Sequence, residues 1–149
     1  MIRVLVDPAP VDMASELARL EQGQAGAVAS FTGMVRSDDG VTALELEEYP
    51  GMTAAALTRL ADEAVARWSL EGATIVHRVG RMVPGDRIVF VGTAARHRRA
   101  ALDACAFLID RLKTGAPFWK REQRGTDSRW VEARDADTAA AAAWGHPDP

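Results

Sequence analysis

RIVFVGTAARHRRAALDACAFLIDRL, residues 87–112, decides the fold class. Its first part, Arg87–Ala94, is dominated by β-branched and small residues and reads as a strand. From about Arg98 onward, Leu102, Cys105, Ile109 and Leu112 recur at helical spacing. Four potential cations, Arg96, His97, Arg98 and Arg99, stand between strand and helix. Beyond the helix, Gly115 suits the left-handed position after a last turn, and Pro117 prevents continuation. Ahead of the strand, Pro84-Gly85-Asp86 is a turn tripeptide that joins it to an earlier strand, Ala73–Val79.

Working outward, Ile2–Val6 is a short strand that stops at Asp7-Pro8. Pro10 to Asp12 open a helix, with Asp12 as N-cap and Leu17 and Leu20 facing inward. Ala27–Val35 and Thr42–Tyr49 read as two strands around the turn Ser37–Gly40. Together they predict a hairpin with Leu44 and Leu46 on one face and Glu45 and Glu47 on the other. Pro50-Gly51 ends the second strand, and Thr53 is placed to cap the next helix. In that helix Leu57, Leu60, Ala61, Ala64, Val65 and Trp68 form the clearest apolar stripe in the chain. Arg129–Ala133 reads as a last strand, and residues 135–149 as an Ala-rich C-terminal helix and tail. Helices and strands mix without a regular βαβ repeat. The expected class is α+β with a mainly antiparallel sheet, in a single domain spanning residues 1–149.

The chain has 149 residues, of which 48% are hydrophobic and 26% charged, an ordinary balance for a globular protein. A formal net charge of -3 argues against bulk nucleic-acid binding, which needs many phosphate-neutralising cations. One cysteine, Cys105, permits neither an intrachain disulfide nor a cysteine-based zinc site, and it fits a reducing compartment. The first residues carry no signal-peptide pattern, and no apolar run approaches a membrane span, so a cytoplasmic location is expected.

Three places can carry chemistry. At Arg96–Arg99, cations sit at a helix N-terminus and oppose the helix dipole, a conflict that an anionic ligand would remove. His97 and Arg98 are the residues of this run that favour a ligand. Arg96 and Arg99 read as solvated surface arginines. The second place is LKTGAPFWKRE, residues 112–122, where Lys113 and Lys120 flank a Gly-x-Pro turn and Phe118-Trp119 precede the second lysine. Lys113 is also favoured electrostatically at a helix C-terminus. Lys120 lies beside aromatics of the kind that depress a lysine's pKa and make it a general acid or base. Taken singly each is an ordinary surface charge; taken together they suggest an anion or carbonyl site. The third is FTGMVR, residues 31–36. Its glycine suggests a bulge or a close backbone approach, and Arg36 at the strand end can reach a phosphate or carboxylate. Arg134, after Trp130-Val131-Glu132, is a similar strand-end arginine. His77 reads as structural, and Cys105 as an inert small hydrophobe. From the residues alone the chain is an α+β domain with a site for a small polyanion and no named reaction.

FTGMVR, LEEYPGMT, HRVGRMVPGD, FVGTAARHR, LKTGAPFWKRE and RWVEARD occur in this order. Together they resemble the MoaE family, the large catalytic subunits of molybdopterin synthase, from about Gly26 to Trp144. The resemblance implies an α/β-hammerhead fold with an additional antiparallel sheet. It implies sulfur transfer from the thiocarboxylated Gly-Gly C-terminus of a small ubiquitin-like carrier to cyclic pyranopterin monophosphate. It also implies a homodimer within a heterotetramer, and no metal or cofactor. On the same resemblance Lys113 and Lys120 are the catalytic lysines. Arg36, His97, Arg98 and Arg134 bind substrate, Arg134 reaching a neighbouring subunit, and Phe31 and Phe118 shape the wall. The other outcome to weigh is a non-catalytic module that binds a small anion or the carrier on the same fold.

Overall fold

A computed structural model describes residues 1–130 and Trp144. The elements run β1 (Ile2–Asp7), α1 (Met13–Leu20), β2 (Ala27–Met34), β3 (Ala43–Glu48), α2 (Met52–Trp68), β4 (Gly72–Arg78), β5 (Gly80–Met82), β6 (Arg87–Ala95), α3 (Arg98–Gly115), β7 (Phe118–Arg124) and β8 (Asp127–Trp130). They form two four-stranded sheets, ordered β1-β4-β6-β2 and β5-β3-β7-β8. The β1–β4 pair is parallel, and every other pairing is antiparallel. The α+β class expected from the sequence is therefore the class observed. No helix among the described residues is long and apolar enough to cross a membrane.

The first sheet is the centre of the protein. β6 is buried from Val89 to Ala95 and carries apolar side chains on both faces. Phe90 and Ala94 pack with Leu20 of α1 and Val76 of β4 on one face. Val89, Val91 and Ala95 pack with Leu57, Ala61 and Ala64 of α2 and Ala101, Ala104, Phe107 and Leu108 of α3 on the other. Phe107, Leu57 and Leu108 are fully buried. Side chains of this size stabilise the fold by about 2 kcal/mol each relative to exposure. Thr93 is also fully buried, and its hydroxyl donates to the Ala101 carbonyl at 2.6 Å, tying β6 to the first turns of α3. On the α1 side, Arg3 of β1 holds Glu16 with two hydrogen bonds of 2.7 and 3.0 Å, which satisfies a carboxylate that is nearly buried.

Several local expectations hold, and several are corrected. Asp12 caps α1 through a hydrogen bond from the Ser15 N–H. The register shifts between Gly33 and Met34, as a strand glycine suggested, and a side chain at Gly33 would press on Val89. The predicted β2–β3 hairpin does not form. β2 pairs with β6 in the first sheet and β3 pairs with β5 and β7 in the second. The alternation of β3 still buries Leu44 and Leu46, but against Val35 and Met82. β4 and β6 do pair, but the chain between them first crosses to the second sheet as β5. Gly51, not Thr53, occupies the N-cap of α2, and Thr53 lies buried in its first turn. Leu102 is 51% exposed, so the buried stripe of α3 runs instead through Ala101, Ala104, Cys105, Leu108 and Leu112. Gly115 is the last residue of α3 and is absent from the positive-φ positions. The helix stops because Ala116, restricted by the proline that follows it, is extended at φ -92° and ψ 127°. β7 was not foreseen, and the segment after Glu122 is its hairpin to β8, turning at Gly125 with φ 60°. β8 is described as far as Trp130 and holds the first two residues of the predicted strand Arg129–Ala133; the rest of that strand and, apart from Trp144, the C-terminal helix and tail lie outside the described residues. The Trp144 indole packs edge-on against Trp68 and Phe107 and donates to Asp110 at 2.6 Å.

Gly92 lies in the middle of β6, where a Cβ would collide with the Leu20 side chain and come within 2.9 Å of the Phe90 ring. Both neighbours are themselves fully packed. Gly92→Ala is expected to lower unfolding free energy by about 1–3 kcal/mol through overpacking, read as a shifted urea midpoint with an unchanged slope. An unchanged midpoint would show that α1 yields at no cost.

Candidate functional site

The topology sorts the predicted residues by the end of the first sheet at which they lie. β6 starts beside Met34 at one end and finishes beside Ala27 at the other. α3 begins just after that finish and packs back across β6 and β2. His97 is therefore the N-cap of α3 and Arg98 its first residue, both exposed, at the end where β6 finishes. Lys113 is exposed in the last turn of α3, at the end where β6 starts. With a rise of about 1.5 Å per residue, Arg98 and Lys113 are separated by about 22 Å along the helix.

Arg36 follows β2 at the same end as Lys113, where the Val35 N–H donates to the Asp86 carbonyl at 2.9 Å. Its guanidinium lies 3.5 Å from Asp38, with both side chains about two-thirds exposed. Lys120, in β7, is paired in register with Leu46 of β3, so it projects from the face that carries Leu44 and Leu46 toward Val35 and Met82. Its ammonium is 3.8 Å from Glu122, which also accepts a 2.8 Å contact from Arg124. The Lys120 side chain is 43% exposed, so the apolar wall expected around it is only half present. Phe118 opens β7 and stacks on the imidazole of His77, with centroids 4.1 Å apart and planes at 27°. Phe31 sits within β2 and is partly buried against the α2 and α3 side of the core. One end of the sheet thus gathers Arg36, Lys113, Phe118 and Lys120, and His97 and Arg98 lie at the other. Arg134 lies outside the described residues.

Neighbouring arginines at the lysine end have structural tasks. Arg78 donates to the Pro8 carbonyl and lies 3.6 Å from Asp86, and Arg87 donates to the Val11 carbonyl. Two further side chains contribute that sequence reasoning passed over or placed elsewhere. Thr53 joins this end through hydrogen bonds to Tyr49 and Pro117. His77, read as structural, is buried beneath Phe118, and its Nδ1–H donates to the Arg78 carbonyl at 3.0 Å. Burial pushes the imidazole down to about 4, so it is neutral at physiological pH. Cys105 is buried in the core and burial pushes its thiol up to about 11, which leaves it unreactive. Among the described residues no cluster of His, Cys, Asp or Glu has the arrangement of a metal site. The arrangement suits binding of an anion by paired cations and proton transfer by lysine ammonium groups.

Comparisons with known proteins agree in direction. Residues 6–115 match the family model described as MoaE protein. The chain is 52% identical over 138 residues to the molybdopterin synthase catalytic subunit of Mesorhizobium japonicum, covering 89% of this chain and 87% of that protein. It is 49% identical over 146 residues to the protein of the same name from Escherichia coli K12, covering 95% and 97%. Among solved structures, the molybdopterin cofactor biosynthesis protein E of Burkholderia multivorans superposes with a TM-score of 0.85 at 48% identity, covering 99% of both chains.

His77 yields a pH prediction. Its folded pKa lies below the unfolded value near 6.5, so the unfolded chain binds the extra proton between those values. Stability from this group is complete above about pH 6.5 and is lost as pH falls toward about 4. Unfolding free energy is expected to drop by about 2 kcal/mol between pH 7 and pH 5, and His77→Phe should remove most of that slope. Urea titrations of both proteins at the two pH values check this; equal slopes would show that His77 is not the group responsible.

Proposed function

The chain belongs to the MoaE family, and its function is that of the catalytic subunit of molybdopterin synthase in molybdenum cofactor biosynthesis. We propose that Lys113 and Lys120 are its reaction centre and that Arg36, His97, Arg98 and Arg134 hold the charged substrate. The substrate class is a cyclic pyranopterin monophosphate. The sulfur donor is the thiocarboxylated C-terminus of a small ubiquitin-like carrier. The observation that carries this reading is the turn after α3, which leads from Lys113 into β7 with Lys120, at the end of the first sheet where β2 finishes before Arg36.

The thiocarboxylate is anionic and already nucleophilic, so the protein's task is to position it and to stabilise the charge that develops on substrate oxygens. Ammonium groups do both, and they deliver a proton at the reacting atoms, which the amine so formed can take back. Lys113, anchored on a helix end, carries the larger share, and Lys120 faces the same region from β7. Phe118 limits water on one side. Guanidinium groups suit the cyclic phosphate because they bind its oxygens with paired N–H donors. Two transfers build the dithiolene, and the reaction takes place in the cytoplasm.

His97 and Arg98 are too far along α3 to share a substrate with Lys113 of the same chain. They serve the lysines of a second copy, in a homodimer flanked by two carriers. A two-fold dimer presents the same surface twice, so two identical sites arise, each with residues from both chains. The alternative is a module that binds the carrier or a small anion without chemistry.

Two outcomes follow. With thiocarboxylated carrier and cyclic pyranopterin monophosphate, Lys113→Ala is expected to lower turnover on the order of 100-fold or more while carrier binding is retained. Turnover is followed as the fluorescent oxidation product of molybdopterin; wild-type turnover in that variant would refute the lysine assignment, and no product from the unaltered chain would favour the non-catalytic module. Lys113→Ala and Arg98→Ala chains, each inactive alone, are expected on mixing and reassociation to regain about a quarter of wild-type activity, as a two-fold dimer with one intact site in half of its pairs requires. No recovery would place both residues in one chain's site.

A further inference from the structure

The turn between the two lysines is held at three consecutive residues by side chains from outside it. The Pro117 carbonyl accepts a 2.7 Å hydrogen bond from the Thr53 hydroxyl. The Phe118 ring stacks on His77, and the Trp119 ring lies 5.7 Å from Tyr49. Thr53 is the junction of these contacts. It is fully buried, and its Oγ1 also accepts from the Tyr49 N–H at 2.9 Å. One hydroxyl thus connects the end of β3, the first turn of α2 and the chain leaving α3. Its polarity is fully determined, because a backbone N–H can only donate and a carbonyl can only accept. Helix capping does not account for this residue, since Gly51 occupies the N-cap and the hydroxyl is directed to a segment 64 residues away.

We propose that Thr53 is a positioning residue for the sulfur-transfer site. By holding the Pro117 carbonyl it sets the angle at which the end of α3, with Lys113, gives way to β7, with Lys120. This rests on the assignment of both lysines to the reaction centre. A misplacement of about 1 Å in such a site costs on the order of 100-fold in rate, so one hydrogen bond at the hinge between the two groups is enough to matter.

The test compares Thr53→Val, which keeps the shape and removes the hydroxyl, with Thr53→Ser, which keeps the hydroxyl. Both are assayed as the full chain with thiocarboxylated carrier and cyclic pyranopterin monophosphate, at a temperature where circular dichroism shows each folded. In Thr53→Val, kcat is expected to fall about tenfold or more, with pterin KM and carrier Kd within about threefold of wild type. Thr53→Ser is expected to restore kcat to within about threefold of wild type, because the donor and acceptor are both returned. Should Thr53→Val not fold, Thr53→Ala takes its place, since the smaller side chain adds no volume. Lys113→Ala and Lys120→Ala are run alongside. If these two retain wild-type turnover, the site assignment beneath the proposal is wrong. If they are inactive while Thr53→Val keeps its kcat, or if serine fails to rescue, the positioning role is overturned and the lysine assignment stands. A loss confined to KM or carrier affinity also overturns it.

Discussion

Burial of β6 on both faces is the constraint from which the other positions follow. A strand covered on two sides and hydrogen-bonded on two edges can neither slide nor flip, because each alternative exposes one apolar set. Phe90 and Ala94 require α1 on one side, and Val89, Val91 and Ala95 require α2 and α3 on the other. The hydroxyl of Thr93 then ties the beginning of α3 to the strand it has just left. The nine residues of β6 span about 30 Å at about 3.3 Å per residue. The eighteen residues of α3 span about 27 Å at about 1.5 Å per residue. Helix and strand are matched in length, so α3 returns the chain to the level where β6 began. Lys113 lies at that end of the sheet for this reason.

The parts of the fold that were legible in the sequence are those whose pattern is local and long. The apolar stripe of α2, the Asp12 cap and the run of β6 are of this kind, and each is found where the residues place it. What could not be read was partnership. The alternation of β3 says that one face is buried but not which sheet buries it, and Leu44 and Leu46 are equally satisfied by Val35 and Met82 as by a hairpin with β2. β5 has three residues, too few to display a period. β7 carries FWKREQR, a charged sequence that is strand only because β3 and β8 supply its hydrogen bonds. At Gly115 two local rules competed. The restriction that Pro117 places on Ala116 prevailed over the left-handed glycine stop. The site divides along the same line. Residue types and motifs pointed to Lys113, Lys120, Arg36, His97 and Arg98, but their distribution between two ends of a sheet is a property of topology. Thr53 is the clearest instance, since the residue it holds is remote in sequence and no spacing in the chain announces the pair.

The cations near the lysines fall into two groups with different physical roles. Arg78 and Arg87 donate to the carbonyls of Pro8 and Val11, where loss would leave main-chain acceptors without those donors. Among the described residues Arg36 is held only by an exposed carboxylate 3.5 Å away. Lys120 faces Glu122, whose other oxygen is 2.8 Å from Arg124. Exposed ion pairs contribute little, because solvent screens them and ordering two long side chains costs entropy. Under the proposed function an incoming phosphate or thiocarboxylate would therefore displace Asp38 from Arg36 at small cost. It would gain more by doing so, because a ligand enclosed between this chain and the carrier would be less screened than a surface carboxylate. Glu122 has a further use under the proposed function: it keeps Lys120 directed along the inner face of β7 before the carrier arrives.

The separation of His97 and Arg98 from the lysines gives dimerisation a specific meaning. The apolar clusters of the described residues close within one chain, so a second copy is not needed to complete the core. Under the proposed function it is needed to complete the site, because no small pterin bridges the length of α3. The division also resolves the electrostatic problem at the start of that helix. Arg96 to Arg99 sit against the positive end of the helix dipole, an unfavourable position for an isolated chain. Under the same proposal a substrate phosphate presented across the dimer would supply a compensating negative charge, and the lysines acting on that substrate would stand at the opposite, favourable end of a helix in the other chain. On that proposal both ends of α3 would serve catalysis, each in a different active site, with the helix as the rigid spacer that keeps two like-charged groups of one chain from competing for a single ligand.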